Sequence, residues 1–417
     1  MADTNYKVYS YRWVVLALYG LATVVIQLMW TTFFSITTEA WKFYGFADAQ
    51  SGEGAISLLS VIFMVGMIVL SVPTMVIFEK WGFKKSVGFG VFLTGVCGLL
   101  RGLLGESFTV VIIATVGFAV AQPFILNAPG LVAGRWFPEN ERATANSMGM
   151  LCNYLGMCVG LLLTPVLLAG GMDIGSMLLT YGIVGAVTAV LFLALVKERP
   201  PTPPCSAEDA VRDNFKDGIR SAMKKRNFVL ILVVFFCLFG IFNIFFTLIE
   251  PILKTTSHGA VDATDVGIVG VVILVTGIVG SLVISMISDK DKRRRRLPYA
   301  IAANVVGVAG LGLFIFAGSF GAILVAAVLY GAFTIGSAPL LMTFAAEETY
   351  PTSEGTSEGL MMFVGNVAGA VFIGGAGLFG GDYKLMMIVL TAITAVCLIP
   401  LVIARESKLK AKTKTKP

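Results

Sequence analysis

Trp30 lies in the middle of an apolar run, with Gln27 one helical turn before it. An indole away from the interfacial belt, where Trp usually sits, holds an organic cation through its ring quadrupole at about 0.5–2 kcal/mol; the other reading is a packed or lipid-facing ring. Glu250 is the one carboxylate inside a long apolar stretch, seven residues beyond Asn243 and on the same face of a continuous helix. Facing a cavity, such a group handles a proton or pairs with a cationic solute. Pro251 and Lys254 open a second reading, an exposed helix end with an i,i+4 ion pair. Asn127 stands between Pro123 and Pro129, which either free backbone carbonyls for a solute or simply kink the helix. Asn153, Tyr154, Asn304 and Asn366 are further polar groups in apolar runs, where amides more often fasten helices than bind solute.

Other chemistries lack their residues. His258 is the only histidine, and the six cysteines, Cys205 among them, are scattered singly with no CxxC and no metal spacing. No metal and no cofactor is expected, and no catalytic cluster that would make the chain an enzyme. A Gly-rich run followed by Lys and Ser or Thr is missing, which excludes a Walker-type pump. A channel would need charge rings or a continuous polar lining, and the amides are too scattered for either.

These residues have to be positioned by membrane-spanning helices. Of 417 residues, 57% are hydrophobic and 13% charged, far outside the soluble range. Apolar runs at 12–37, 55–78, 83–104, 108–133, 145–169, 173–196, 227–253, 264–288, 297–318, 320–345, 356–378 and 382–404 are nearly all long enough to cross a bilayer as helices. The first is too long for a signal-peptide core and has no cleavage pattern, so it is read as retained. With both termini in the cytoplasm, all of the 31 Lys and Arg except Lys42, Arg101, Lys254 and Lys384 fall on the inner side. That predicts a multi-pass cell-membrane protein: a bundle over 1–196, a cytoplasmic linker at 197–226, a second bundle over 227–404 and a basic tail at 405–417. The net charge of +6 then belongs to the membrane surface, and no nucleic-acid partner is expected.

The halves also resemble each other, which matters because alternating access often uses internal repeats. Trp136-Phe137-Pro138 leads to Glu141 and Thr144 after the fourth span, and Tyr350-Pro351 leads to Glu354 and Thr356 after the tenth. Glu79 through Lys84-Lys85 joins spans two and three, and Asp289 with Lys290, Lys292 and Arg293 joins spans eight and nine. An acid followed by bases at a helix end can pair across a moving interface, which makes Glu79, Lys84, Arg142, Asp289 and Glu354 gating candidates; inner-face topology charge is the plainer reading. Glu354 and Glu358 also suit a helix N-terminus.

The loops after spans two and eight resemble the signature loop of the major facilitator superfamily, with Glu79 where Asp is usual. Within it the chain is similar to the feline leukaemia virus subgroup C receptor-related (heme/choline) transporters. The residues that carry this are Tyr11-Arg12-Trp13, Trp30, Gln122-Pro123 to Pro129, Trp136-Phe137-Pro138 with Glu141 to Ser147, Asn153 to Gly156 through Pro165, and Tyr350-Pro351 to Gly359. The resemblance implies an all-α membrane fold of 12 transmembrane helices in two six-helix bundles, and a central cavity that passes choline, ethanolamine or related small solutes. In that family an aromatic pair from helices one and seven encloses the quaternary ammonium, with amides on helices five and eleven. Trp30 matches the first aromatic, Asn243 stands at the helix-seven position, Tyr154 where a glutamine is expected, and Asn366 in place of the other glutamine. The expected substrate set is therefore Trp30, Gln27, Gln122, Asn127, Tyr154, Asn243 and Asn366, with Glu250 for proton coupling. The expected function is secondary-active or facilitative transport of a small organic cation by a monomer among membrane lipids. An organic anion such as a monocarboxylate, or a solute receptor or sensor, are the alternatives; no Lys or Arg is expected well inside a span, Arg101 lying near an outer end.

Overall fold

The structure, a computed structural model, describes residues 8–202, 215–259, 261–290, 296–349 and 354–404. Regular structure among the described residues is helical throughout, because an apolar segment in lipid has to satisfy its own backbone. Twelve of these helices are long and apolar enough to cross a membrane: α1 Tyr11–Thr31, α2 Ala49–Phe78, α3 Lys80–Leu104, α4 Phe108–Trp136, α5 Thr144–Ala169, α6 Ile174–Leu195, α7 Arg226–Thr247, α8 Ala263–Ser288, α9 Leu297–Phe316, α10 Phe320–Thr349, α11 Ser357–Phe379 and α12 Tyr383–Ile403. The expected spans are all present, and two of them end early.

α1 stops at Thr31 rather than at 37. Its last carbonyls are taken by side chains, Gln27 by the Thr31 hydroxyl at 2.9 Å and Leu28 by the Thr32 hydroxyl at 2.7 Å, and such local bonds compete with helix continuation. A short helix, Thr37–Phe43, follows. The expected span 227–253 likewise ends at Thr247, because Leu248 is non-helical (φ −112°, ψ 23°). A second short helix, Ile249–Thr256, begins there with Pro251 in its first turn, where a missing N–H is tolerated. Two expectations are corrected by this break. Glu250 lies beyond the long apolar helix, and it does not share a continuous helical face with Asn243.

α2 and α3 run almost into one another, and the kink between them is at Gly82, near the start of α3, with φ 81°, ψ −179°, a region essentially closed to side-chain-bearing residues. A Cβ at Gly82 would also strike the Glu198 carboxylate. Gly82→Ala is therefore expected to cost about 1–3 kcal/mol, read as a lower thermal unfolding midpoint in detergent; an unchanged midpoint would show that the turn relaxes freely.

By contact the chain forms two compact units: Met1–Ala210 with Asn243–Val271 and Gly369–Tyr383, and Val211–Phe242 with Val272–Ala368 and Lys384–Pro417. In the first, α1 is interior, with 72% of its most apolar window buried against 33% for α5. α3 and α6 approach backbone to backbone, since a Cβ on Gly182 would meet the Gly98 carbonyl; small residues make such contacts possible where lipid supplies no hydrophobic drive. The second unit packs around Phe228, Phe235, Leu341, Phe344 and Met361. There Asn304 donates to the Ser337 hydroxyl at 2.9 Å, fastening α9 to α10. Aliphatic residues such as Leu103 and Val190, each 67% exposed, face outward as lipid requires.

Candidate functional site

Trp30 is only 8% exposed, which removes the lipid-facing reading. Its ring meets Phe34 edge-on at 5.3 Å and Phe63 tilted at 6.5 Å, and Phe63 stacks on Phe118 at 6.2 Å. The next residue on α2, Met64, lies beside Asn243: a Cβ built on Gly369 would be 3.0 Å from the Met64 sulfur and 3.2 Å from the Asn243 Cγ. The first unit thus brings Trp30 and Asn243 to neighbouring residues of one helix, although Asn243 supplies no second ring. The Trp30 indole N–H and the Oε1 atoms of Gln27 and Gln122 are buried and have no hydrogen-bond partner among the described residues. Buried polar atoms left this way are uncommon and ask for an explanation such as a bound solute or water.

The remaining candidates divide. Gln27 donates through Nε2 to Asn153 Oδ1, tying α1 to α5. Asn127 follows the end of the helical run Phe108–Leu126 within α4 and approaches the Ser71 and Thr74 hydroxyls at 3.4 Å, the kink-and-fasten reading. Tyr154 is half-buried on α5. Asn366 belongs to the second unit, where its Nδ2 donates to the Met362 carbonyl at 2.8 Å.

A second polar cluster of the first unit lies beyond the end of α1, around the short helix Thr37–Phe43. Glu250 is fully buried, accepts the Thr38 N–H at 2.7 Å and pairs with Lys254 at 2.5 Å; Lys254 also reaches Glu39 at 3.5 Å. The exposed-end reading fails, but the i,i+4 pair it included is present. Burial raises the Glu250 carboxyl above its ordinary range, and Glu39 adds to this, while Lys254 and the Thr38 N–H pull it back. Nearby, a cavity of about 300 Å³ is lined by Gln50, Glu53, Ser57, Leu248, Phe379 and Tyr383 among others. The Tyr383 hydroxyl donates to Glu53. Glu53 lies just outside the span 55–78 expected from the apolar run. Its signal is the Asp48 cap: the Asp48 carboxylate accepts from the Ser51 N–H at 2.8 Å, so the helix starts at Ala49 and Glu53 sits on its second turn.

On the terminus side the acid that meets the α2–α3 turn is Glu198, also missed. It accepts the Phe83 and Lys84 N–H groups at 2.9 and 2.6 Å and pairs with Arg135, so Lys84 takes part through its backbone. Arg142 donates to the Phe137 carbonyl at 3.4 Å, and its neighbour Glu141 pairs with Arg12 at 3.0 Å. In the second unit, Arg296 pairs with Glu347 at 3.2 Å and donates to Ser288 at 3.3 Å. Both units therefore place a carboxylate and an arginine at the join of corresponding helices, with the signs on α4 and α10 exchanged. The side chains of Glu79, Asp289 and Glu354, and all of Cys205, lie outside the described residues.

The model of the Major Facilitator Superfamily matches residues 19–373. The chain belongs to that superfamily. It is 30% identical over 404 residues to the choline/ethanolamine transporter FLVCR1 of Mus musculus, covering 89% of this chain and 70% of that protein. It is 28% identical over 382 residues to the choline/ethanolamine transporter flvcr2a of Danio rerio (88% and 80% covered), and 27% identical over 384 residues to solute carrier family 49 member A3 of the same fish (89% and 79% covered). Among solved structures, a bacterial homologue of the human lysosomal transporter Spinster matches at a TM-score of 0.71 with 15% identity, covering 95% of this chain and 96% of that one. The nucleoside transporter NupG matches at 0.69 with 11% identity, covering 94% and 99%. At such identities the structures show the fold alone. This major facilitator protein is thus a multi-pass, small-molecule transporter that works by alternating access, related to the choline/ethanolamine transporter family, and not an enzyme.

Proposed function

We propose that the transported solute is a small organic cation of the choline or ethanolamine class. The observation that carries this reading is Trp30, buried in an aromatic cluster with an unpartnered indole N–H beside it to orient a solute hydroxyl. A ring face attracts ammonium groups, and here it does so away from bulk water, where the interaction is strongest. The polar cluster sets three carboxyl groups, Glu39, Glu53 and Glu250, near one base, Lys254, a composition that offers oxygen acceptors to an ammonium rather than cations to a carboxylate. The relatives named as choline/ethanolamine transporters support the same class. Gln27, Gln122, Asn127, Tyr154, Asn243 and Asn366 remain the proposed polar lining.

The rocking bodies of this proposal are residues 1–196 and 227–404, joined by 197–226, with both termini cytoplasmic on the strength of the basic-residue bias. The chain acts as a monomer, since the two halves supply both sides of the mechanism. Thr38 and Glu39 belong to the first half and Glu250 and Lys254 to the second, so their bonds form an outer gate, and Glu250 is the group that would take a coupling proton. The test is uptake into proteoliposomes of labelled choline, ethanolamine, other amines and carboxylates, with and without an imposed pH gradient. Saturable choline or ethanolamine uptake, competed by amines, is expected; uptake of carboxylates with no response to any cation would reject the reading.

A further inference from the structure

Arg101, expected near an outer end of its span, is 2% exposed, inside the first unit. A buried guanidinium ordinarily has a carboxylate against it. No described carboxylate lies within ion-pair distance of Arg101. Its contacts are the Met29 carbonyl at 3.1 Å, the Met29 sulfur at 2.9 Å and the Thr32 hydroxyl at 3.3 Å. All three belong to the end of α1, and they bracket Trp30 and Thr31. The guanidinium also lies over the Phe118 ring at 4.9 Å and near the Phe33 ring at 5.9 Å.

The last carbonyls of a helix carry partial negative charge and lack intrahelical donors, and α1 has no basic residue in its own last turn. A cation delivered from α3 supplies the charge and adds a charged donor at the Met29 carbonyl, which otherwise accepts from the Thr32 hydroxyl at 3.3 Å. Its two routes converge on one side chain. Through the backbone, it fixes the carbonyl of the residue before Trp30. Through Phe118, stacked on Phe63, it reaches the ring that Trp30 packs against. The Met29 methyl is itself held near Gly98 and Gly185, since a Cβ on either glycine would be 3.3 Å from it.

We propose that Arg101 is a positioning residue for Trp30: a guanidinium cap from α3 that holds the end of α1 so that the indole presents a fixed face to the solute. This rests on the reading of Trp30 as the cation site. The planar fork is what allows one residue to hold a carbonyl and a hydroxyl together, so Lys, with a single compact ammonium, replaces it incompletely.

The test is a double-mutant cycle on the KM for labelled choline in proteoliposomes, at matched folded protein. Arg101→Met is expected to raise KM about tenfold in the native background but less than about twofold in a Trp30→Leu background, because coupled residues are non-additive. Arg101→Lys is expected to fall between. Equal losses in both backgrounds would show a general structural role and overturn the proposal. Where Arg101→Met does not fold, Arg101→Lys and Thr32→Val carry the same cycle. A second readout needs no solute: the emission of Trp30, taken as the difference between native and Trp30→Phe protein, is expected to shift and become more accessible to acrylamide in Arg101→Lys. Unmoved Trp30 emission would overturn the proposal. A native protein that takes up no cation, with Trp30 emission still dependent on Arg101, would instead reject the cation reading alone.

Discussion

Trp30→Leu is expected to weaken binding of a choline-like solute about 2- to 30-fold, the equivalent of ~0.5–2 kcal/mol, with Trp30→Phe between Trp and Leu. Leu keeps apolar contact with Phe34 and Phe63 but has no quadrupole and no N–H. Phe keeps a weaker quadrupole and also lacks the N–H. The ordering distinguishes cation–π attraction from simple packing, because a ring that only fills space would give nearly equal affinities in folded protein. The substitution removes volume from a buried cluster, so affinity is compared at matched yield and melting behaviour. Equal affinities for well-folded Trp and Leu forms would take Trp30 out of the site.

Glu250→Ala is expected to destabilise the folded transporter by about 2–3 kcal/mol, seen as a lower unfolding midpoint in detergent. The change strands the Thr38 N–H and removes the nearer of two carboxylates from Lys254. The cost stays below the ~3–5 kcal/mol of a fully buried pair, because Lys254 is 30% exposed and keeps Glu39. Glu250→Gln retains an acceptor and is expected to lose less than half as much. It also carries the pH test. The folded carboxyl is raised above 4.5, so the stability it contributes is complete below that value and is lost as pH rises through the folded pKa. Native protein should therefore lose stability with rising pH above about 4.5 relative to Glu250→Gln, and uptake by Glu250→Gln should lose any response to a pH gradient. Parallel pH profiles for the two proteins would remove Glu250 as a proton carrier.

Trp30 is legible as a cation site from its place in the first apolar run, whereas the partners of Glu250 are not legible from spacing. Periodicity placed Asn243 and Glu250 on one face, since seven residues make two turns of an unbroken helix. The break at Leu248 cancels that relation and turns Glu250 toward Thr38, more than two hundred residues away in the chain. Glu53 went unread for a smaller reason: an apolar window starts a helix at its first hydrophobic residues, whereas the Asp48 cap starts it a turn earlier.

What the sequence determined by itself is the solvent and the scaffold. Twelve apolar runs in a chain that is 57% hydrophobic leave a helical bundle as the available answer, because backbone groups in lipid have no other partners. The linker at 197–226 between two sets of apolar runs and the paired motifs after spans four and ten make the repeat legible, and Trp30 stands out as an indole away from the interface. What only tertiary structure decided is where polar side chains find partners. Glu198 closes the α2–α3 turn from beyond the end of α6, and Arg101, expected near an outer end of its span, is buried against the end of α1. The partners of Glu198 and of Arg101 depend on which helices pack together, and hydropathy is silent on that, since in lipid the choice of neighbour is made by small-residue contacts and hydrogen bonds rather than by apolarity.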